Sequence, residues 1–280
     1  MRRFLPILLP GLWLLAFVAL PLLVVLALSV SWPSEGIPPF RLPDSENGLN
    51  SESFALLLED AFYRDSFLSA LLVAGGTAGL CLLLAFPMAL GVVRAAPRWR
   101  GLLLFLVLLP FWTGFLPRLG AWIGLLRDEG WVNTLLQSWG LISAPLPLLY
   151  SWPALFLGMT HAYLPFAVLP LYASLSRLDP VLEEAAADLG AGAFTAFRTV
   201  TLPLAAPGAA AAFLLVFIPA AGEYVIPELL GPPSAQMVGR ALWGEFFQNR
   251  DWPVAAALAV LLLLALLVPI LLFQRLEARR

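Results

Sequence analysis

The sequence contains no lysine: all 16 of its basic residues are arginine, and it has a single histidine, His161, and a single cysteine, Cys81. Without lysine there can be no phosphate-binding loop of the Walker A type, whose lysine reaches the terminal phosphates, and no Schiff-base lysine. One histidine and one cysteine cannot build an HExxH or Cys/His zinc site within the chain, and a disulfide framework is excluded as well. Charge itself is scarce. Only 12% of the 280 residues are charged and 61% are hydrophobic, whereas an ordinary soluble domain carries about 25% charged residues. This composition is that of a membrane protein.

A helix that crosses a bilayer needs roughly 20 mainly apolar residues. Six stretches qualify, at about 5–30, 67–93, 102–126, 152–175, 204–226 and 252–273, which predicts an all-α, six-span architecture in one domain, 1–280. The first run is too long for a signal-peptide core and no small-residue cleavage pattern follows it, so it reads as a retained span. Arginines sort by side. Arg2, Arg3, Arg94, Arg98, Arg100, Arg177, Arg198, Arg275, Arg279 and Arg280 fall on one side, which the positive-inside rule makes cytoplasmic, so both termini are expected inside. Most acids fall on the other side, many of them in the segment that carries Glu35, Asp44, Glu46, Glu52, Glu59, Asp60 and Asp65. Such a face concentrates cations or receives a basic patch of a partner, or it only enforces topology.

Gly75 with Gly79, and the run Ala209 to Ala212, form small-residue faces that let helices approach closely, which favours a bundle. Cys81 and His161 read as packing residues. The cytoplasmic segment at about 179–203 is less passive. Asp179 can cap a helix that starts near Pro180, Glu183 and Glu184 favour its dipole, Gly190 interrupts it, and Pro203 marks entry to the fifth span. Ala185, Ala186, Leu189, Phe194 and Phe197 would then form a docking surface, or the hairpin packs on the protein's own inner face.

Glu184-Ala185-Ala186, three residues, Gly190, nine residues, Val200, one residue and Leu202-Pro203 resembles the EAA loop of the inner-membrane permeases of ATP-binding cassette importers, with valine in place of isoleucine. The resemblance implies a type I, MetI-like permease fold in a bacterial inner membrane. It also implies that Glu183, Glu184, Ala185, Ala186, Gly190, Phe194, Leu202 and Pro203 couple to a separate ATPase. The chain would then be a non-catalytic transport subunit that binds no cofactor, with ATP and Mg on two ATPase subunits. Its further partners would be a second permease subunit, in a heterodimer, and an extracytoplasmic binding protein. Membrane lipid surrounds it, and no nucleic acid is expected.

Two more stretches look like a narrower branch. Glu223-Tyr224-Val225-Ile226-Pro227-Glu228, Gly239-Arg240-Ala241-Leu242-Trp243 and Asp251-Trp252-Pro253 are similar to spermidine/putrescine importer permeases, as is Pro110-Phe111-Trp112-Thr113 with Arg118 and Ala121-Trp122. Polyamines are flexible multivalent cations, and carboxylates with aromatic faces suit them. Glu223, Tyr224 and Glu228 supply that chemistry, with Trp243, Asp251 and Arg118 as further path residues. Counted from Leu204, Glu223 lies about 28 Å along the fifth span, near its outer end. There it serves the path, or lies among headgroups, or neutralises Arg118 or Arg240. The alternatives to a polyamine importer are a permease for ferric iron, sulfate or phosphonate, and an ion-driven secondary transporter.

Overall fold

A computed structural model describes the backbone of residues 5–277 and the side chains of residues 8–275. Arg2, Arg3, Arg279 and Arg280, counted above for the inner side, and the Glu277 side chain lie outside the described residues. The helices are α1 (Leu5–Leu14), α2 (Leu20–Ser29), α3 (Glu52–Glu59), α4 (Ala61–Arg94), α5 (Pro97–Trp112), α6 (Phe115–Leu126), α7 (Trp131–Ser138), α8 (Trp152–Leu175), α9 (Val181–Asp188), α10 (Ala193–Ala196), α11 (Leu202–Ala221), α12 (Val225–Leu230), α13 (Val238–Trp243) and α14 (Trp252–Glu277). Strands β1 (Trp32–Pro33) and β2 (Phe40–Arg41) pair antiparallel, with Trp32 opposite Arg41. Among the described residues, five helices are long and apolar enough to cross a membrane, and the bent pair α5–α6 makes a sixth if it counts as one span.

The chain divides into two compact units. The first comprises the described residues of Met1–Leu68 with Met237–Val268. In it, Leu57, Val254, Ala255, Ala257 and Leu258 are buried, and the connection after α2 is pinned by Asn50, whose Nδ2 donates to the Ser31 carbonyl at 3.0 Å. The second comprises Ser69–Gln236 and the described residues of Pro269–Arg280. Its core is built by α4, α8 and α11 through Ala78, Cys81, Ala85 and Ala89, then Ala167, Val168, Leu171 and Leu175, then Ala205, Ala212 and Val216. So many alanines bring backbones close, and close packing is what holds helices together where lipid is as apolar as leucine.

Two spans differ from their expected form. The one placed at 102–126 is two helices, α5 and α6, bent by 85°. Pro117 gives the reason, because in a continuous helix its ring would strike the carbonyl of Thr113, four residues earlier. Thr113 is extended instead, and its hydroxyl donates to the Pro110 carbonyl at 2.7 Å. The fifth span starts earlier than residue 204: helix is continuous over Ala193–Ala221, passing through a π-helical turn at Phe197–Thr201 just before Pro203. That turn already departs from the regular hydrogen-bond ladder, so the N–H that Pro203 lacks is tolerated. At its C-terminal end the span breaks at Gly222–Tyr224 and resumes as α12. Pro227 stands to Glu223 as Pro117 stands to Thr113.

Candidate functional site

The loop from α9 to α11 is built by local chemistry. Asp179 Oδ1 accepts the Val181 N–H at 3.0 Å and starts α9. Gly190 ends it with φ +87°, a left-handed conformation that side chains resist, while its N–H and that of Ala191 close on the carbonyls of Ala187 and Ala186. No residue of α9 is buried. Glu184, Ala185, Gly190, Leu202 and Pro203 are exposed, and Leu189 and Phe194 are exposed to 90% and 75%. Leu189 stands clear of the turn, and Phe194 borders an open apolar cavity with Leu82, Phe86 and Phe197.

Glu183 and Ala186 are only partly exposed, and Glu183 departs from the rest of the set in direction. Its Oε2 accepts Arg94 Nη2 at 2.9 Å, from the last turn of α4, and its Oε1 accepts the Thr201 hydroxyl. The Thr201 hydrogen bond first, and then the Arg94 charge, hold this carboxyl below the usual glutamate range. Sequence reasoning missed both partners. Arg94 entered only as a topology marker, and Thr201 fell on an unconstrained position of the motif.

At the break in the fifth span, Glu223 Oε1 accepts the N–H groups of Tyr224, Val225 and Ile226 at 3.1, 3.0 and 3.5 Å, and Oε2 accepts the Tyr163 hydroxyl at 2.5 Å. The carboxylate therefore replaces the backbone acceptors that the break removed. Gly158 leaves room for α12, since a Cβ there would lie 2.5 Å from Leu230 Cδ1 and 3.1 Å from Ile226 Cγ2. Along α8 the same region carries His161, whose Nδ1 accepts Trp122 Nε1 at 3.3 Å, and Phe166, edge-on to Phe111 at 5.5 Å. Arg118 sits 5.9 and 6.0 Å from the Phe111 and Phe115 rings; its Nε and Nη1 are buried with no hydrogen-bond partner among the described residues. Glu223 therefore spends its hydrogen bonds on Tyr163 and the α12 backbone. Tyr224 is half-buried and Glu228 is exposed.

Trp243 and Asp251 belong to the first unit, whereas Arg118, Glu223, Tyr224 and Glu228 belong to the second. Trp243 packs on Phe247 with ring centroids 4.1 Å apart. Asp251 Oδ1 caps α14 through the Val254 N–H at 3.1 Å, and burial raises its carboxyl above the usual range, with the Glu245 charge adding to the rise. Glu245, which sequence reasoning missed, is buried and accepts the Tyr63 hydroxyl at 2.8 Å and Asn249 Nδ2 at 3.0 Å. Asp251 also lines a cavity of about 460 Å³ with Glu35, Ser34, Asn249 and Arg250.

Residues 4–280 match the family of binding-protein-dependent transport system inner membrane components. The chain is 37% identical over 264 residues to the spermidine/putrescine transport system permease protein PotB of Haemophilus influenzae, covering 91% of this chain and 88% of that protein. It is 32% identical over 267 residues to PotB of Escherichia coli K12, covering 94% and 93%. Among solved structures, it resembles a chain of a bacterial ABC transporter involved in import of the acidic polysaccharide alginate, with TM-score 0.71, 20% identity and coverage of 99% and 96%.

Proposed function

The chain belongs to the binding-protein-dependent transport system inner membrane components, and from that premise we propose that it is the permease subunit of an ATP-driven importer of spermidine or putrescine. It is a multi-pass inner-membrane transport subunit, not an enzyme. Both termini face the cytoplasm in this reading. A second, different permease subunit completes the path, an extracytoplasmic binding protein delivers the polyamine, and two ATPase subunits bind ATP and Mg.

The observation that carries the proposal is the loop from α9 to α11. It is a helical hairpin locked by Gly190 that presents Leu189 and Phe194 outward. An ATPase groove that takes these side chains can move the hairpin, and continuous helix over Ala193–Ala221 connects the hairpin directly to the broken fifth span. Alternating access follows if closing of the ATPase pair reorients that span. At the break, Glu223 supplies a fixed negative charge. Among the described residues its Oε2 accepts only the Tyr163 hydroxyl, so a carboxylate lone pair remains for an ammonium group. Tyr163 supplies an aromatic face beside it, and Phe166 and then Phe111 continue the aromatic series from Tyr163. Tyr224, Glu228, Trp243 and Asp251 are further path residues in this reading.

A second reading keeps the architecture and changes the cargo to an anion such as sulfate. Arg118 favours it, being a cation on the α5–α6 bend whose Nε and Nη1 lack an acceptor. Reconstitution with the partner subunits separates the two. Polyamine import requires ATP-dependent uptake of labelled spermidine or putrescine and none of sulfate or ferric iron; uptake of sulfate alone contradicts it.

A further inference from the structure

We infer that Arg94 and Thr201 are positioning residues of the transport cycle: with Glu183 they form a polar root that fastens the coupling helix α9 to the inner ends of α4 and α11. This rests on the proposed coupling role of the loop and assigns it a mechanical anchor. A helix that transmits force must be fixed to what it moves, and α9 has little to fix it. None of its residues is buried, and a cavity of about 390 Å³ lies at its base, lined by Leu90, Arg94, Arg100, Asp179, Glu183 and Thr201 among others. No buried apolar side chain therefore clamps α9 to the spans. What crosses the gap is Glu183, one oxygen on Arg94 at the last turn of α4 and the other on Thr201 in the π-helical turn that leads into α11.

The two partners lie on different spans, so one carboxylate ties both to α9. Arg100 is not a competing partner through Nε, which donates to the Ala95 carbonyl at 3.0 Å. Asp179 is occupied with the Val181 N–H. Glu183 is thereby separated in role from Glu184, which is exposed. The ion pair is half in water, with Arg94 and Glu183 side chains 59% and 36% exposed. A contact so exposed tunes coupling and does not hold the fold, so its loss should change efficiency by about 2- to 5-fold.

The test uses the assembled transporter in proteoliposomes. Arg94→Gln and Thr201→Val, at residues outside the coupling set, should retain the ATPase subunits on co-purification and retain ATP hydrolysis. Polyamine uptake per ATP should fall by about 2- to 5-fold. The reversed pair Arg94→Glu with Glu183→Arg should recover most of the loss, which a merely structural residue would not show. Unchanged uptake per ATP in the single variants, no recovery in a reversed pair that assembles, or loss of the ATPase subunits from Arg94→Gln or Thr201→Val would each overturn the proposal. If the wild type takes up neither polyamine, the cargo reading fails on its own. The root is then read from ATP hydrolysis, which should escape control by the binding protein in the single variants and regain it in the reversed pair.

Discussion

The loop from α9 to α11 and the break in the fifth span both turn on a glutamate next to a short helix, and they treat their surroundings in opposite ways. Around Glu183 the polar groups point inward and the apolar ones outward: Leu189 and Phe194 stand in solvent while the carboxylate reaches back to Arg94 and Thr201. Around Glu223 the polar groups close on one another, and Ile226, Pro227 and Leu230 are buried. Water can satisfy an exposed loop, so its surface is free to be completed by another chain. No water is available at membrane depth to rescue freed N–H groups, so a broken span must carry its own acceptor.

The largest effect should come from the break. Glu223→Ala leaves the α12 N–H groups and the Tyr163 hydroxyl without their acceptor, at a cost of about 2–4 kcal/mol. Thermal unfolding of the purified complex should shift down by several degrees and uptake should be lost. Full stability would show that the carboxylate is not the acceptor of the break. Next is Gly190→Val, which forces a branched side chain to positive φ at about 1–2 kcal/mol. Loss of ATPase co-purification with little change in thermal unfolding is the expected pattern.

Tyr163→Phe removes one donor and keeps the three backbone bonds, so it should cost about 1 kcal/mol, read as a small shift in thermal unfolding. Leu189→Ser with Phe194→Ser should weaken ATPase binding and leave unfolding unchanged, because neither side chain is buried in the chain. The smallest effect concerns pH. The Glu183 carboxyl is held below its ordinary value of 4.5, so its contribution is complete above that pH and is lost as pH falls through the lowered value. Hydrogen exchange of α9 should be flat from about pH 5 to 8 apart from its intrinsic rate, and in Thr201→Val the acid loosening should move to higher pH.

Much of the loop was legible in the sequence, because each of its determinants acts within a few residues: Asp179 on Val181, Gly190 on the carbonyls it closes, and the fixed spacing from Glu184 to Pro203. Gly222 and Pro227 make the break at Glu223 legible in the sequence. Its chemistry was not, since Tyr163 is 60 residues away. Arg94 and Glu183 are 89 residues apart, and nothing in either neighbourhood indicates that the other will be near. The bend between α5 and α6 was readable in principle. Gly114 and Pro117 carry the same signal as Gly222 and Pro227, but the apolar run around them masks it.

The most direct measurement is ATP-dependent uptake of labelled spermidine and putrescine by proteoliposomes holding the chain with its partner permease, ATPase and binding protein, run beside the same vesicles carrying Gly190→Val. Uptake that needs ATP, is absent with sulfate or ferric iron, and disappears in the variant is the expected result. Polyamine uptake that persists without the ATPase subunits, or survives Gly190→Val undiminished, contradicts a permease driven through this loop.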